Sequence, residues 1–492
     1  MLSCDFPTNF YRAADVREFD RRAIKDHGIA DGQLMERAGA AAFKLIRQYW
    51  PAAGRIVVIA GGGNNGGDGY IVARLAHRHG LDARVLALRE PEAGTDAARA
   101  RNAYREAGGR IGTFSRSELD ADLVIDAIAG TGLNRPLAGA FAGAVDAINA
   151  SDIPCLAIDI PSGIHADTGA VMGCAVRAAA TVTFIGAKCG LLTGQGPAHC
   201  GDLHFAGLDV PSNVYAGIEP AARRVTQDDL RAALPPRPRD ANKGDFGHVL
   251  VVGGDHGMPG AVRMAAEAAM RSGAGLVSVY TRPEHVAAVV GTRPELMCHG
   301  GDDASGLDAL LERATVVALG PGLGKEDFGR QLFARMLGTV LPLVVDADGL
   351  NLLAEKPVER GHWILTPHPG EAGRLLDCST ADVQTDRFAA VSELASRYNA
   401  AVVLKGAGSL IAAPGETTAL IDRGNPGMAV GGMGDALTGI VAALLAQGLS
   451  HFDAARLGAH VHAVAGDRAA AAGERGLAAL DLIAALRAVV NP

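Results

Sequence analysis

Apolar and amphipathic segments alternate along the chain in two series. In the first series, short runs rich in Val, Ile and Ala begin at Arg55 (RIVVIA), Ala83 (ARVLALR), Leu123 (LVIDAIA), Pro154 (PCLAIDI) and Thr181 (TVTFIGA). In the second series, similar runs begin at Gly247 (GHVLVVGG), Gly275 (GLVSVYT), Ala314 (ATVVALG), Pro342 (PLVVDAD), Trp363 (WILTPH) and Ala401 (AVVLKGAG). Short apolar runs separated by helical patterns are typical of buried parallel strands in βαβ units. The pattern predicts two α/β regions in tandem, each with a parallel sheet.

The segment from Glu219 to Asp245 interrupts this alternation. It contains three prolines within four residues and a cluster of charged residues, which is typical of a connection between domains. Helical spacing predicts helices over Ala13 to Tyr49, and three alanine-rich helices are expected to end near Val490. A chain of 492 residues exceeds what one core usually serves, so we expect domains over 1–218 and 246–492 with a linker over 219–245. We find no convincing repeat between them, which indicates different chemistry in each.

Composition and charge narrow the class of protein. The net charge is −8 and no long Lys/Arg run occurs, so nucleic acid is not expected as a partner. The N-terminus has no apolar segment typical of a signal peptide, and the longest apolar stretch, Met428 to Leu449, carries Asp435 and a glycine cluster, so no membrane span is expected. Scattered cysteines, odd in number and never spaced C-x-x-C, favour free thiols in a reducing cytoplasm: Cys4, Cys155, Cys174, Cys189, Cys200, Cys298 and Cys378.

A glycine-rich run, GGGNNGGDG from Gly61 to Gly69, follows the first strand and precedes a predicted helix. Three of its glycines match G-x-G-x-x-G, and Glu90 is close to where a ribose-binding acid is expected, so a dehydrogenase with a dinucleotide site is one hypothesis. A pyrophosphate loop requires small side chains, however, and this run carries Asn64, Asn65 and Asp68. Three oxygen-bearing side chains favour a site for a hard cation or for ribose hydroxyls.

Two further strands end in acidic residues within turns. The run LVIDAIAGTG places Asp126 at the end of one strand, and AIDIPSGI places Asp159 and Ser162 at the end of another. Ligands of parallel sheets bind outside the carboxyl ends of the strands, so we expect these loops to converge with the loop of Asn65. Each aspartate alone could form a turn or cap a helix. Their joint occurrence after strands favours a functional site.

These motifs, with the upstream GQLMERAG (Gly32 to Gly39), resemble those of NAD(P)H-hydrate epimerases over roughly residues 10–215. The resemblance implies a Rossmann-like domain that interconverts the R and S epimers of the hydrated cofactors NADHX and NADPHX and binds a potassium ion. It implies that Asp159 is the acid/base and that potassium is held by Asn65, Asp126 and Ser162. The residues implied to bind the hydrate are Asn64, Asn65, Gly66, Gly67, Asp68, Gly130, Thr131, Gly132, Leu133, Asn134, Arg135, Pro136 and Asp159.

One position departs from that family. Gly62 stands where the family often has proline, which we expect to change the stiffness of the loop more than its chemistry. Epimerisation at a hydrated ring carbon requires loss and re-addition of water, or transient ring opening. Either route needs a group that both takes and gives a proton, and a positioned carboxylate can do this.

In the second half, the run GNPGMAVGGMGDALTGI is the most informative motif. Its glycines free the backbone before an apolar helix, Ala436 to Leu445, and leave Asp435 in the first turn. Amides at a helix N-terminus attract anions, and a neighbouring carboxylate can take a hydroxyl proton, which suits phosphoryl transfer. An earlier run, GPGLGKE, is too short for a P-loop and has Glu326 where Ser/Thr would hold magnesium, so we reject that interpretation.

With TPHPGEAGRLL and KGAGS, this motif resembles the ribokinase-like ADP-dependent NAD(P)H-hydrate dehydratases over roughly residues 225–490. The resemblance implies that ADP, with magnesium, phosphorylates the hydrate hydroxyl and that phosphate then leaves to restore NAD(P)H. It implies that Asp435 is the base and that Ala261, Gly322 and His368 contact the hydrate. The residues implied to bind the nucleotide are Lys405, Gly406, Ala407, Gly408, Ser409 and Gly434. Both domains in this order are similar to a bifunctional repair enzyme.

Several points stay open at this level. His460 and His462 face different sides of a predicted helix, so we interpret both as structural. Asp346 and Asp348 could hold magnesium or shape a turn. The alternatives to a repair enzyme are a ribokinase-like kinase for a vitamin precursor and a non-catalytic binding protein. We expect small-molecule substrates (NADHX, NADPHX and ADP) and a homo-oligomer, although no motif fixes the number of subunits.

Overall fold

The computed structural model of the protein describes Leu2 and residues 6–491, so Cys4 lies outside the described residues. The chain divides into two compact units, Met1–Ala222 and Arg223–Pro492. The division falls within the predicted linker. That segment contains ordered elements, including β10 (Ala222–Arg224) and α7 (Gln227–Ala233). The domain bounds drawn from the sequence stay a prediction.

The first unit is built around a parallel sheet. Its strands are β1 (Asn9–Tyr11), β2 (Arg55–Ala60), β3 (Asp82–Ala87), β4 (Arg110–Thr113), β5 (Leu123–Ala127), β6 (Cys155–Ile158), β7 (Ala180–Phe184), β8 (Ala187–Lys188) and β9 (Asp202–Ala206). Its α-helices are α1 (Ala13–Lys25), α2 (Gln33–Tyr49), α3 (Asn64–Arg78), α4 (Asp96–Glu106), α5 (Ala140–Asn149) and α6 (Gly196–Cys200). The sheet order is β4-β3-β2-β5-β6-β7-β9 with parallel neighbours, and β1 pairs with β8.

The apolar run of β2 explains how both faces of this sheet are covered. Successive side chains of a strand point to opposite faces. Ile56 and Val58 belong to one core cluster, with residues of α1 to α4, whereas Val57 and Ile59 belong to another, with residues of α5. A strand buried on both sides must be apolar at every position, which is why the sequence predicts it well.

The second unit is a mixed sheet between helices. Its strands are β11 (His248–Val252), β12 (Leu276–Thr281), β13 (Met297–Gly300), β14 (Val316–Leu319), β15 (Leu343–Val345), β16 (Trp363–Leu365), β17 (Ala401–Leu404), β18 (Ser409–Ala412) and β19 (Thr418–Ile421). Its remaining α-helices are α8 (Pro259–Arg271), α9 (Val286–Thr292), α10 (Asp308–Leu311), α11 (Asp327–Met336), α12 (Ala347–Glu355), α13 (Pro369–Leu376), α14 (Thr380–Thr385), α15 (Arg387–Tyr398), α16 (Met433–Ala446), α17 (His451–Ala469) and α18 (Ala479–Val489).

Strand order places the carboxyl ends of most strands at one edge of this sheet. The order is β13-β12-β11-β14-β15-β16-β17-β18-β19, parallel as far as β17 and antiparallel from there. The order reverses direction between β11 and β14, as it does between β2 and β5 in the first unit. Crevices at such reversals are where ligands bind in parallel sheets. α16 is almost entirely buried and packs against α8 and α17.

The predicted fold class, two tandem α/β regions with parallel sheets, is confirmed. The closing three helices are confirmed as α16 to α18. The opening helical region is two helices, because Gly28 and Gly32 take φ values of +69° and +78° between them. The sequence did not predict the edge strands β4 and β13, whose residues are mostly exposed and therefore form no apolar run.

Candidate functional site

In the first unit, two loops meet where the strand order reverses. One leads from β2 into α3 and the other follows β5. A Cβ on Gly61 would lie 2.0 Å from the carbonyl oxygen of Ile128, and a Cβ on Gly66 would lie 2.1 Å from that of Gly61. No side chain fits at these distances, so glycine is required for the loops to pack against each other. The fingerprint spacing therefore does not by itself indicate a dinucleotide.

Asp126, at the end of β5, is fully buried and organises the second loop. Its Oδ1 accepts a hydrogen bond from the Ser162 hydroxyl at 2.5 Å, and its Oδ2 accepts one from the Ser162 amide at 2.8 Å. The amide of Ala129 donates to Ser162 Oγ at 2.9 Å. Burial raises the pKa of Asp126 to about 6, although the bonds from Ser162 oppose the rise.

Asn65 reaches the same place from α3. A Cβ on Gly130 would lie 3.4 Å from Asn65 Oδ1. Asn65 is 9% exposed, and among the described residues neither its Oδ1 nor its Nδ2 has a hydrogen-bond partner. A buried amide without partners is costly. The predicted cation ligands Asn65, Asp126 and Ser162 are therefore gathered at one loop, with an amide available to a bound group.

Asp159 follows β6 with a left-handed backbone, φ +68°. Its Oδ1 accepts hydrogen bonds from Lys188 Nζ, from the Phe184 amide at 3.2 Å and from the Thr183 hydroxyl at 3.4 Å. Lys188 is fully buried and also donates to Thr183 Oγ1 at 3.0 Å and to the Phe184 carbonyl at 3.1 Å. The described donors all hold Oδ1, which leaves Oδ2 for a ligand.

A cavity of about 1320 Å³ joins these residues. This volume exceeds the roughly 300–1,000 Å³ of ordinary small-molecule sites and suits an extended ligand. The predicted hydrate-binding residues that line it are Asn64, Asn65, Asp68, Gly130, Thr131, Gly132, Leu133, Asn134, Arg135, Pro136 and Asp159. Gly66 and Gly67 lie instead on the packed side of α3, where a Cβ on Gly67 would be 2.5 Å from Met35 Sδ.

In the second unit, the start of α16 is the centre of the candidate site. Its N-cap, Gly432, has φ +89°. Within residues 6–491 no acceptor reaches the amides of Met433, Gly434 and Asp435. Unpaired amides at a helix N-terminus, together with the helix dipole, attract anions.

A buried ion pair faces these amides. Lys405 Nζ donates to Asp346 Oδ1 at 2.8 Å and lies 3.8 Å from Glu371 Oε2, and the Thr438 hydroxyl donates to Asp346 Oδ2 at 2.8 Å. A Cβ on Gly434 would lie 3.3 Å from Asp346 Oδ2 and 3.4 Å from Lys405 Nζ. Burial raises the pKa of Asp346, but Lys405 and the hydrogen bonds outweigh it and hold that pKa below its ordinary value. Burial likewise raises the pKa of Glu371.

Asp435 lies half-buried in the first turn of α16, beside this pair. Burial and the neighbouring Asp346 carboxylate raise the pKa of Asp435 to about 7, and Lys405 opposes the rise. A proton acceptor works best when its pKa is close to the working pH. Asp435 is therefore suited to take a proton at neutral pH.

The other predicted residues lie at neighbouring strand ends. A Cβ on Gly322, after β14, would lie 3.2 Å from the Cβ of Ala261 in α8. His368, after β16, caps α13: its Nδ1 accepts a hydrogen bond from the Gly370 amide at 2.9 Å, and its side chain is 51% exposed. Lys405, Gly406, Ala407 and Gly408 connect β17 to β18, and Ser409 is the first residue of β18.

Sequence reasoning missed two groups at these sites. Lys188 had a signal, because it is the single charged residue between Ala180 and Thr193. Glu371 is part of a motif that we used, but nothing in the sequence indicates that it lies near Lys405. The sequence did not decide whether Asp346 and Asp348 hold magnesium or shape a turn. In the structure Asp346 is the counter-ion of Lys405. Asp348 accepts a hydrogen bond from the Gly324 amide at 3.0 Å and so fixes a loop.

The interpretation of the two histidines as structural is consistent with their contacts. His462 Nε2 lies 2.9 Å from the carbonyl oxygen of Met433, and burial lowers the pKa of His462 to about 4, so the neutral ring supports the start of α16. Burial also lowers the pKa of His460 to about 4. Among the described residues, no cluster of three or more His, Cys, Asp or Glu side chains could hold a metal, and no helix is long and apolar enough to cross a membrane.

Comparison with known proteins matches both halves. Residues 31–190 match the family model described as YjeF-related protein N-terminus, and residues 249–488 match the one described as NAD(P)H-hydrate dehydratase. The bifunctional NAD(P)H-hydrate repair enzyme Nnr of Coxiella burnetii is 49% identical over 99% of this chain and 100% of its own length. The enzyme of the same name from Escherichia coli is 44% identical, over 99% and 95%.

The chain belongs to the bifunctional NAD(P)H-hydrate repair enzyme family. The resemblance drawn from the motifs is therefore confirmed. A solved ribokinase-like superfamily protein from Enterococcus faecalis is 28% identical, with a TM-score of 0.52, and covers 55% of this chain and 96% of its own. This confirms the ribokinase-like fold of the second unit. Family membership does not favour the dehydrogenase, the vitamin-precursor kinase or the non-catalytic binding protein.

Proposed function

We propose that the chain repairs hydrated nicotinamide cofactors: its first unit interconverts the R and S epimers of NADHX and NADPHX, and its second unit dehydrates the S form. The second reaction converts ADP to AMP and phosphate. The observation that carries the proposal is that each unit of a chain from this family places a candidate reactive carboxylate near a lysine at the ligand-binding edge of its sheet, Asp159 near Lys188 and Asp435 near Lys405. Apart from a carboxylate and a lysine, the two sites are built from different residues, as two separate reactions require.

The first unit fits epimerisation with potassium. Asp159 presents Oδ2 to the cavity and can take and give a proton there. The oxygens of Asn65, Asp126 and Ser162 form a hard-oxygen donor set, and the unpartnered buried amide of Asn65 fits a cation. When bound, the cation supplies a fixed positive charge that orients the hydrate. The lining from Asn64 to Asp68 and from Gly130 to Pro136 would hold the rest of the substrate.

The second unit fits phosphoryl transfer followed by elimination. Asp435 would take the proton of the hydrate hydroxyl while the amides at Gly434 hold the transferred phosphoryl group. Hydroxide is a poor leaving group and phosphate a good one, so phosphorylation makes the loss of oxygen feasible. Electron donation from the ring nitrogen then restores the dihydronicotinamide. Ala261, Gly322 and His368 would contact the hydrate.

The nucleotide would lie over the turn Lys405 to Ser409. Its glycines take φ values of +136° and +62°, which bring the backbone close to a ligand. Magnesium commonly arrives with nucleotide phosphates and needs few protein ligands. The carboxylate of Asp435, which no donor among the described residues engages, lies in the first turn of α16, beside the amides that would hold the phosphate. We further propose a cytoplasmic location and a homo-oligomer, with small-molecule partners and neither nucleic acid nor a membrane.

A two-stage assay tests the proposed function. The purified chain is given a mixture of (R)- and (S)-NADHX in potassium buffer, first without and then with ADP and magnesium. We expect interconversion of the epimers in the first stage and complete recovery of NADH absorbance, with stoichiometric AMP, in the second. A stable phosphorylated product without NADH would indicate a kinase and overturn the dehydratase assignment.

The potassium assignment has its own test. Replacement of potassium by tetramethylammonium, which cannot enter a small oxygen site, should slow epimerisation and leave dehydration of the pure S form unchanged. Asn65→Ala should raise the potassium concentration that gives half-maximal epimerisation. An epimerisation rate that is indifferent to the cation would contradict this part of the proposal.

A further inference from the structure

The cavity of the first unit contains a second buried carboxyl group whose chemistry the proposed function leaves unused. Asp68 lies in α3 and is 9% exposed. It lines the cavity that Asp159 also lines. Among the described residues no hydrogen-bond donor reaches its carboxyl group, although almost all of its surface is enclosed. A buried carboxyl without a protein partner is costly unless it is neutral or meets a ligand.

The charges around Asp68 explain which form it takes. It faces Asp20 on α1, Asp159 after β6 and Lys188 in β8. Three carboxyl groups thus share one ammonium ion, and that ammonium donates its hydrogen bonds to Asp159 and its neighbours. Burial, followed by the charges of Asp159 and Asp20, raises the pKa of Asp68 well above its ordinary value. These influences favour the neutral, protonated form of Asp68.

Two ion pairs lie on the helices packed against α3. Arg74 of α3 pairs with Glu36 of α2 at 2.5 Å, and Arg101 of α4 pairs with Glu90 at 2.5 Å. The charges that act most strongly on Asp68 are those of Asp159, Asp20 and Lys188. Asp68 is therefore the carboxyl that favours keeping a proton, while Asp159 is held by an ammonium ion as an acceptor.

We propose that Asp68 is a second catalytic residue of the epimerase site, a proton donor that works opposite Asp159. The inference rests on the proposed epimerase function and assigns it a two-group mechanism. Asp68 gives its proton to the hydroxyl of the hydrated carbon, the C–O bond breaks, and water leaves. The lone pair of the ring nitrogen forms a C=N bond to that carbon and carries the positive charge.

Return of water from the other face completes the inversion. The water oxygen forms the new C–O bond, the C=N electron pair returns to nitrogen, and Asp159 Oδ2 takes the released proton. The substrate is inverted without net change, and one proton has moved from Asp68 to Asp159. The reverse reaction, or exchange with solvent, restores the starting form. A reversible epimerase requires this symmetry, because each direction uses the donor of the other.

The pH dependence of epimerisation tests this assignment. Interconversion of the NADHX epimers is measured without ADP, at saturating potassium, across the pH range. We expect a bell-shaped kcat/KM for the wild type, since one carboxyl must be ionised and the other protonated. Asp68→Asn should lower kcat about 10²-fold, the lower end of what a general acid contributes, and remove only the limb that falls at high pH. Asp159→Asn should also lower kcat, because it removes the acceptor of the released proton.

Two controls separate catalysis from structure. Dehydration of pure (S)-NADHX by the same variant reports folding through the other unit, and the melting temperature of the first unit reports its own. Asp68→Glu keeps the acid and should keep the falling limb at a shifted pH. Asp20→Asn should keep both limbs and move the falling limb to lower pH, because the Asp20 charge raises the pKa of Asp68.

Oxygen exchange checks the chemical step. In H₂¹⁸O, inversion through loss of water should label the hydroxyl once per event. If Asp68→Asn keeps the bell-shaped pH profile and changes only KM, Asp68 binds the substrate and is not a proton donor. Inversion without incorporation of label would overturn the route through loss of water. A wild type that interconverts no epimers would instead overturn the proposed function itself, so the two failures are distinguishable.

Discussion

The two units place a lysine beside their carboxylates in different ways. In the first unit, Lys188 donates directly to Asp159, the carboxylate that faces the ligand cavity. In the second unit, Lys405 donates to Asp346 at 2.8 Å, and the proposed base, Asp435, lies beside that pair with no hydrogen-bond donor among the described residues. The pKa of Asp435 is consequently raised to about 7 by burial and by Asp346.

Under the proposed function, this difference shows how one residue type would be prepared for two tasks. A carboxylate that is held by an ammonium ion keeps a fixed position and exposes one oxygen, which suits exchange of a proton in both directions. A carboxylate that lies next to another carboxylate has a higher affinity for a proton, which suits a base that must remove one from an alcohol. In the second unit the raised pKa of Asp435 comes first from burial and then from the Asp346 carboxylate, while Lys405, which is bonded to Asp346, only opposes the rise.

The largest expected effect comes from removing each reactive carboxylate. Asp435→Asn should reduce dehydration by about 10²- to 10⁴-fold and leave epimerisation unchanged, because the sites lie in separate units. Asp159→Asn should do the opposite, so that this variant recovers NADH only from the S half of an equimolar mixture of the two epimers. Separate assays with (R)- and (S)-NADHX measure both. A single substitution that slows both reactions equally would contradict the assignment of the two reactions to separate units.

The next effect concerns the lysine of the second unit. Lys405→Met should lower the free energy of unfolding of that unit by about 3 kcal/mol, since Asp346 would remain buried without its counter-ion. It should also move the pH profile of dehydration to higher pH, because Lys405 lowers the pKa of Asp435. Urea unfolding and pH–rate profiles measure the two effects. The double variant Lys405→Met/Asp346→Leu, which removes both charges, should recover most of the stability and serves as the control.

A third test uses pH alone. Dehydration should rise with pH and be half-maximal near pH 7, where Asp435 becomes ionised. Because the folded-state pKa of Asp435 is raised, the stability that this group contributes is present below pH 4 and is lost as the pH rises through about 7. Asp435→Asn should therefore be more stable than the wild type at pH 8 and not at pH 4. Melting temperatures of the variant and the wild type at pH 4 and pH 8 measure this. A variant that is less stable than the wild type at pH 8 would contradict the prediction.

The smallest effect concerns the hydroxyl that orients Asp346. Thr438→Val removes the 2.8 Å hydrogen bond to Asp346 Oδ2 and should cost about 1 kcal/mol in stability. Dehydration should slow by less than about tenfold, because Lys405 still holds the other oxygen. Thr438→Ser, which keeps the hydroxyl, is the matched control. An equal loss in both variants would indicate packing of the methyl group instead.

Much of the fold could be predicted because its strands are buried on both faces. RIVVIA at Arg55 and WILTPH at Trp363 mark strands that lie in the structure as β2 and β16. Exposed edge strands such as β4 carry no comparable pattern. The candidate carboxylates Asp159 and Asp435 were also predicted, since glycine-rich turns after strands mark the ligand edge of a parallel sheet.

The sequence by itself determined the alternation of buried strands and helices, the two glycine-rich turns and the positions of the two candidate aspartates, because these depend on local pattern and on loops that follow strands. The tertiary structure alone decided which charges meet. Lys188 is separated from Asp159 by 29 positions, and Lys405 from Asp346 by 59. Coulombic coupling and desolvation depend on distance in space and on burial, and neither is encoded in the spacing of residues along the chain.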